Sequence, residues 1–557
     1  MTLRTNLFGE DELLGAGPHG QVKRLERALW HLGFDDVRVV DGSGDGGADI
    51  LAVKNEEQWV FQSKWSKTNL IDESGVEDIH RAYKHFMADN AVLFTNRDLN
   101  GLAKERVETL KKLGFRFHVW NGPTSTVIGK KMPFRVKNEK ELRGYQRKAA
   151  DALVRDLERS RSALLILATG LGKTVVGGEV ISRFITEKPD SKVLILSHLK
   201  ELSAQLEKAI WQHIPKTVPT NLLTGESKPN NLDGVTAATI QSALDAVYDG
   251  YRPSLIMIDE THHVGDQGLY SELLQMLPDV PRFGVTATPW RGDEFDITSV
   301  FGPPSFQMGI PDGMKQGWLS EVDYRLFVDN IDWELVRDTS QNRYSIKELN
   351  RKLFLPQRDS EIIEFFRKAW QETARPRAIV FCETIEHAEH IASLLAKADP
   401  AWSKAEALHS DIAPQQRNFV LNRFRLGRTP ILTCVDVLNE GVDVPDVNLI
   451  AFLRVTHSRR IFIQQLGRGL RLAKGKESLK VLDFVTDVRR VAAALHLKRE
   501  LENTDKEYLR LSRSESRIEF SDATSGTFLD HWLRDAANIE TAADEVTLQF
   551  PESYGIN

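Results

Sequence analysis

Val22, Leu25, Leu29 and Leu32 recur at helical spacing and stop at Gly33, which predicts a helix closed by a glycine. The period then shortens. VRVVD, ADILAVK and WVFQSK are rich in Val, Ile and aromatic residues and are interrupted by GSGDGG, so a small sheet with a glycine turn is expected, followed by helices to about residue 120. The basic segment NGPTSTVIGKKMPFRVKNEK, broken by Gly and Pro, predicts a linker or short hairpin at 121–140. From about 141 to 310 the pattern changes again. Continuous apolar runs (ALLILAT, KVLILSH, GVTAATI, LIMIDE, RFGVTAT) alternate with helical segments, as in a parallel sheet covered on both faces. The alternation restarts near 376 with RAIVFC, PILTCVD and LIAFLR and closes with KVLDFV. A charged, helix-leaning stretch (about 320–370) lies between the two series. No repeat of solenoid length is present.

With 557 residues the chain is long enough for three or four domains, each with its own core. The 73 basic residues are balanced by 79 acidic ones, which excludes a global polycation and leaves room for local basic grooves. After Arg517 the tail holds eight acids against Arg534 alone, a poor platform for nucleic acid and a better one for packing on protein. Cys382 and Cys434 each lie in an apolar run, so neither a disulfide framework nor a cysteine-rich zinc module is expected. The amino-terminal residues mix charges and lack a signal-peptide core, and no window reaches the ~20 apolar residues of a membrane span. The expectation is a soluble, cytoplasmic α/β protein.

The strongest chemical signal is ALLILATGLGKTVV, 163–176, in which an apolar strand runs into Thr169, Gly170, Gly172, Lys173 and Thr174 and then a helical pattern. Glycine permits close backbone approach to phosphate, and amides at a helix amino end bind its oxygens. Lys173 adds a charge for the terminal phosphates of a nucleotide, and Thr174 a hydroxyl for Mg²⁺. Leu167 stands where the strict GxxxxGK[ST] spacing has its first glycine. In LIMIDETHH, Asp259 and Glu260 end a second apolar strand, where one carboxylate can hold the metal shell and its neighbour polarise water.

Six motifs in order, LRGYQ (142–146), ATGLGKT (168–174), DETHH (259–263), TATP (286–289), VDVLNEGVDVP (435–445) and QLGRGLR (465–471), resemble those of superfamily 2 helicases and translocases. The variant is similar to the DExH-type motors of type III and type I restriction enzymes, over roughly 140–490. The resemblance implies two RecA-like domains with ATP and Mg²⁺ between them. It implies that Gln146 reads adenine, that Lys173 and Thr174 hold phosphates and metal, and that Asp259 is metal ligand and Glu260 base. It implies Arg468 and Arg471 as arginine fingers, with Glu440, Gly441 and Asp443 at the cleft. Thr286 and Thr288, with His262 and His263, would link hydrolysis to domain movement. For the residues alone, GRGLR places the two guanidinium groups on one face of a helix. The resemblance further implies polynucleotide contacts at Thr239, Gln241 and Ser242, and in HLKELSAQ, where Gln205 closes the pattern.

In WVFQSK, alternation puts Gln62 and Lys64 on one face and Trp59, Phe61 and Ser63 on the other, while Asp49 opens the preceding strand. An acid, an oxygen ligand and a lysine on neighbouring strands can hold Mg²⁺ and orient water against a phosphodiester. This stretch, with AVLFTNRDLNGLAKERVETLKKLGF (91–115), resembles the PD-(D/E)xK nuclease core of the Mrr-type restriction nucleases, over about 15–120. Asp49, Gln62 and Lys64 match the core triplet and Asp45 the acid of the glycine turn. The family's first-helix glutamate falls at Val22, with Glu26 one turn later as a substitute.

The expected organisation is a nuclease domain (1–136), two RecA-like domains (137–310 and 311–500) and an acidic C-terminal region (501–557). The expected function is an ATP-driven DNA motor coupled to a metal-dependent endonuclease in restriction of foreign DNA, working with partner subunits. Two alternatives stay open: a repair or recombination helicase whose first domain only binds DNA, and an RNA helicase.

Overall fold

The computed structural model describes residues 10–40, 46–131, 142–229, 231–287, 296–326, 343–345, 359–425, 427–435, 447–453, 469–472, 476, 478–484, 509–513 and 547–549. The expected α/β class holds: a mixed five-stranded sheet is followed by two seven-stranded sheets.

The first helix, α1 (Glu10–His31), is broken at Gly17–Pro18 and ends two residues before Gly33, whose φ of 78° turns the chain into β1 (Asp35–Val39). β2 (Ile50–Lys54) and β3 (Glu57–Lys64) form an antiparallel hairpin. Its two turn residues, Asn55 and Glu56, have φ of 53° and 66°, the left-handed pair that matches the twist of the flanking strands. α2 (Glu73–His85) and α3 (Gly101–Lys112) carry the chain to β4 (Asn90–Thr95) and β5 (Phe117–Trp120), which add in parallel to give the order β1-β2-β3-β4-β5. Both faces are covered. Val60, Ala91 and Leu93 pack with Val76 and Ile79 of α2 and Val107 of α3. On the other face Ile50, Phe61, Val92 and Phe94 pack with Leu25 and Leu29 of α1. Where a linker or hairpin was expected, 122–131 form a helix, α4 (Gly122–Lys131). Pro123 sits in the first turn, where its missing N–H costs nothing and its fixed φ suits a helix.

The second sheet follows α5 (Gly144–Ser160). Its elements are β6 (Ser162–Leu167), α6 (Lys173–Glu187), β7 (Val193–Ser197), α7 (Lys200–Ile210), β8 (Thr220–Leu223), β9 (Val235–Thr239), α8 (Ile240–Tyr248), β10 (Leu255–Asp259), α9 (Leu269–Met276), β11 (Arg282–Thr286) and β12 (Phe306–Met308). The order is β12-β6-β11-β10-β7-β9-β8, and β6, β7 and β10 are buried through almost their whole length.

The third sheet contains β13 (Glu321–Leu326), β15 (Ala378–Phe381), β16 (Glu406–Leu408), β17 (Ile431–Cys434), β18 (Leu449–Phe452), β19 (Ser478–Asp483) and β20 (Leu509–Arg513), in the order β16-β17-β15-β18-β19-β13-β20. The short strands β14 (Arg343–Ser345) and β21 (Thr547–Gln549) pair antiparallel, joining a piece of the acidic tail to the chain's middle. The stretch expected to lean helical ends in a helix at Asp359–Gln371 but opens instead with β13. Val322 and Tyr324 are buried, while the alternate Asp323 and Arg325 pair with each other at 2.7 Å and Asp323 with Lys480 of β19 at 3.2 Å. A strand so rich in charge persists because its polar positions answer one another across the sheet.

The chain divides into two compact units, the first being residues 1–150, 174–257 and 276–281. Within that unit α1 meets α7 and the loop after it. Glu26, fully buried, lies 2.5 Å from Lys208, and Glu207 lies 3.6 Å from Lys23. Arg27 donates to the carbonyls of Val218 (2.8 Å) and Pro215 (3.1 Å), and Trp30 packs on Trp211. Glu26, weighed above as a substitute metal carboxylate, is thus spent on this seam. Burial, aided by the charges of Arg27 and Lys216, lowers the pKa of His31 to about 3.

Two outcomes follow from the seam. Lys208→Ala leaves Glu26 buried without its nearest cation and is expected to cost about 2 kcal/mol, between the ranges for exposed and buried pairs. Adding Glu26→Gln should recover at least half of it, read from denaturant midpoints. His31 must stay neutral in the fold while the unfolded chain titrates near the ordinary value of about 6.5, so its contribution is complete above that pH and is lost as pH falls toward 3. The melting temperature should therefore drop between pH 7 and 5, and His31→Gln should flatten that dependence.

Candidate nucleotide and nuclease sites

From Ala163 β6 is apolar to its last position, Leu167, and the chain then turns. Leu167 belongs to the strand and is fully buried, so the turn begins one residue later than the strict phosphate-loop spacing assumes. Gly170 and Gly172 take φ of 93° and 87°, a region costly for residues with a Cβ, and Leu171 between them is fully buried. Thr169 is half-buried beside them, and Lys173 and Thr174 open α6.

The Lys173 ammonium lies 2.6 Å from Oε1 of Glu260, both side chains being largely buried. Asp259 is the buried last residue of β10, whereas Glu260 leaves the sheet in the left-handed conformation at φ 50° and ψ 59°. Nδ1 of His262 lies 3.3 Å from Oε2 of Glu260 and 3.3 Å from Oγ1 of Thr286, the buried end of β11. A chain of polar contacts thus runs from Lys173 through Glu260 and His262 to Thr286. Gly284 makes it possible, because a Cβ there would stand 2.3 Å from Cγ2 of Thr261.

Gln146 is buried, and its Oε1 accepts the backbone N–H of Arg143 at 3.0 Å. Thr239 ends β9 and precedes α8, its hydroxyl donating to Ser242 at 3.1 Å, while the exposed Gln241 reaches Asp245 at 3.3 Å. Gln205 is half-buried on α7. Arg471 departs from the expected helical face. It forms an antiparallel bridge with Leu319, and its carbonyl accepts Ser320 Oγ at 3.2 Å and Lys476 Nζ at 3.1 Å, so backbone pairing holds it extended with an exposed side chain. Arg468, Glu440, Gly441, Asp443, Thr288 and Asp45 lie outside the described residues.

In the first sheet the alternation read from WVFQSK sets the geometry. Gln62 and Lys64 face α2, and Ser63 faces α1. Because Ile50 is in register with Phe61, Asp49 stands beside Gln62, and its Oδ2 accepts Nε2 of Gln62 at 2.9 Å and the N–H of Ser63 at 2.5 Å. The Lys64 ammonium pairs with Oδ2 of Asp78 on α2 at 2.7 Å.

The α1 side chain at this end of the sheet is Gln21, which the sequence reading missed by one position. Its Nε2 donates to Ser63 Oγ at 2.8 Å and to the Lys64 carbonyl at 3.1 Å. Only its place one residue before Val22 could have pointed to it. Oε1 of Gln21 and Oε1 of Gln62 are both buried and accept no hydrogen bond. The Gln62 oxygen, buried without a donor beside the Asp49 carboxylate, suits a hard divalent cation. No cluster of three His, Cys, Asp or Glu with metal-holding geometry occurs among the described residues, so a cation here would rest on one carboxylate and neutral oxygens.

Three family models match the chain: a restriction endonuclease model at residues 16–123, the res subunit of type III restriction enzymes at 139–291, and the helicase conserved C-terminal domain at 359–473. Among curated proteins, irc3 of Schizosaccharomyces pombe, named for a mitochondrial ATP-dependent helicase, is 30% identical over 63% of this chain and 58% of its own length. The endonuclease subunit of the type I restriction enzyme EcoAI from Escherichia coli is 25% identical over 62% of this chain and 46% of its own. The chain thus spans about half the length of these relatives. Among solved structures, the ATP-dependent type ISP restriction-modification enzyme LlaBIII bound to DNA shares the fold at a TM-score of 0.56 and 16% identity, over 94% of this chain and 42% of its own. No described helix is long and apolar enough to cross a membrane. The chain thus carries helicase domains of the superfamily 2 kind, the first matching the res subunit of type III restriction enzymes, behind an Mrr-type restriction endonuclease domain.

Proposed function

We propose that the chain is an ATP-driven DNA translocase or helicase joined to a metal-dependent endonuclease, and that it acts in restriction of foreign DNA with partner subunits. The observation that carries this reading is the Lys173–Glu260 pair at the ends of parallel strands, in a chain whose first sheet assembles Asp49, Gln62 and Lys64.

In the motor, an entering polyphosphate competes with Glu260 for Lys173. As the ammonium turns to the terminal phosphates, the carboxylate is released to orient water and accept its proton. Gly170 and Gly172 let the backbone approach the phosphates, and Gln146 reads the base. Thr174 and Asp259 would hold Mg²⁺, which when bound offsets charge on the phosphate oxygens. The released Glu260 remains beside His262, so a change at the carboxylate reaches Thr286 through one imidazole. Arg468 and Arg471, with Gly441 and Asp443, would come from the second RecA-like domain to stabilise charge on the transferring phosphoryl group. Thr239, Gln241 and Ser242 offer hydroxyl and amide groups to a strand's phosphates.

In the nuclease, Asp49 and Gln62 would hold the divalent cation, whose contribution when bound is to polarise the scissile phosphate and its water. Hydrolysis adds water across a P–O bond. The attacking oxygen loses a proton, the leaving oxygen gains one, and the Lys64 ammonium faces the charge that builds on the phosphate.

Plasmid cleavage and ATP turnover, measured with and without Mg²⁺ and ATP, separate the two halves. Lys173→Ala should reduce DNA-stimulated ATP turnover at least a hundredfold at an unchanged melting temperature. Wild-type turnover in that variant would overturn the motor assignment. Asp49→Ala should abolish cleavage while ATP hydrolysis persists; persistent cleavage would overturn the nuclease site and favour a domain that only binds DNA.

A further inference from the structure

We infer that Asp78 is the positioning residue for Lys64, fixing the nuclease ammonium from a helix that lies outside the Asp49, Gln62, Lys64 triplet. The inference rests on the nuclease reading above. Lysine ends in a strongly hydrated point charge on a four-carbon stem, so at the end of a strand its ammonium explores a wide volume unless something holds it. Here it is held at both ends of the stem. α2 crosses the stem at Gly75, where an added Cβ would lie 3.0 Å from Cγ and 3.4 Å from Cε of Lys64. One turn on, Oδ2 of Asp78 takes the ammonium at 2.7 Å, and Oδ1 takes Nη2 of Arg81 at 3.2 Å, which fixes the rotation of the carboxylate.

Asp78 itself is placed by the glycine turn. Gly47, at φ 93°, lets the loop before β2 press against the Asp78 backbone, for a Cβ there would stand 2.3 Å from the Asp78 carbonyl oxygen. The turn that leads into Asp49 therefore also locates the partner of Lys64. The two sides of the nuclease site are built from one contact. Asp72 also feels the charge of Lys64, but its carboxylate caps α2 through the N–H and hydroxyl of Ser74. Proximity of charge and direct contact can accordingly be told apart.

The experiment is steady-state plasmid cleavage by the full chain with Mg²⁺, for Asp78→Asn, Asp78→Glu, Asp72→Asn and Lys64→Ala, with melting temperatures beside the rates. If Asp78 positions the ammonium, Asp78→Asn should lower kcat about 10- to 100-fold with KM within about twofold, the scale expected for displacing a reacting group. Asp78→Glu, which keeps the charge on a longer arm, should return kcat to within about threefold. Asp72→Asn, which keeps the cap, should cleave at the wild-type rate. The inference is overturned if Asp78→Asn keeps wild-type kcat or loses only through KM. It is equally overturned if the Asn and Glu variants are inactive alike with lowered melting temperatures, or if Asp72→Asn is as damaging as Asp78→Asn. Lys64→Ala separates this failure from that of the nuclease reading. If Lys64→Ala cleaves normally, the nuclease assignment falls and takes the inference with it; if it is inactive while Asp78→Asn is normal, only the inference falls.

Discussion

A parallel strand buried on both faces can carry polar chemistry only where it leaves the sheet, and the motor is organised by that constraint. β6 is apolar from Ala163 to its end and β10 up to Asp259, and the groups able to meet a polyphosphate are gathered at and beyond those ends. The Lys173–Glu260 ion pair is the outcome. Two opposite charges, each largely withdrawn from water, are tolerable because each has the other. A phosphate bearing its own negative charge is suited to exchange with Glu260 for the lysine. Glu260 leaves the strand in the left-handed conformation with its carboxylate against Lys173 and His262.

The amino-terminal sheet solves a different problem. Its strands are mixed in direction, and its polar residues lie where β3 extends past β2 while still paired with β4, with α1 on one face and α2 on the other. α1 works at two places along its length. Gln21 ties it to the end of β3, and Glu26, Arg27 and Trp30 tie it to α7 and the following loop. The first sheet and helix α7 of the second are therefore joined through α1. The seam is ionic as well as aromatic: burial brings the Arg27 guanidinium down to about 10, still charged at neutral pH, and its two terminal nitrogens each donate to a carbonyl. Buried charges of this kind define a register, since a shifted helix would strand them without partners.

The elements whose pattern followed one rule were legible in the chain. Apolar runs bounded by turns became β6, β7, β9, β10, β11, β15, β17, β18 and β19, and the period of two in WVFQSK put Gln62 and Lys64 on one face of β3. Where two rules compete the reading failed. Pro123 and Gly122 signal a break, yet a proline in a first turn also begins a helix, and α4 forms. β13 has the charge content of a surface helix, and it is a strand because Lys480 of β19 lies across from Asp323. Arg471 has helical spacing from Arg468, but its backbone pairs with Leu319.

The sequence by itself determined the succession of sheets and the strand ends at which chemistry could sit, and it singled out Lys173, Asp259, Glu260, Asp49, Gln62 and Lys64 as candidates there, because burial period and motif spacing are properties of neighbours along the chain. Only the tertiary structure decided that Glu26 belongs to the seam with Lys208, that Gln21 takes the place beside β3, that His262 bridges Glu260 and Thr286, and that Asp78 holds Lys64. Those partners come from elements with no shared pattern in the sequence, and a long polar side chain settles on whichever buried opposite charge or unpaired hydrogen-bonding group the packing of those elements brings within reach.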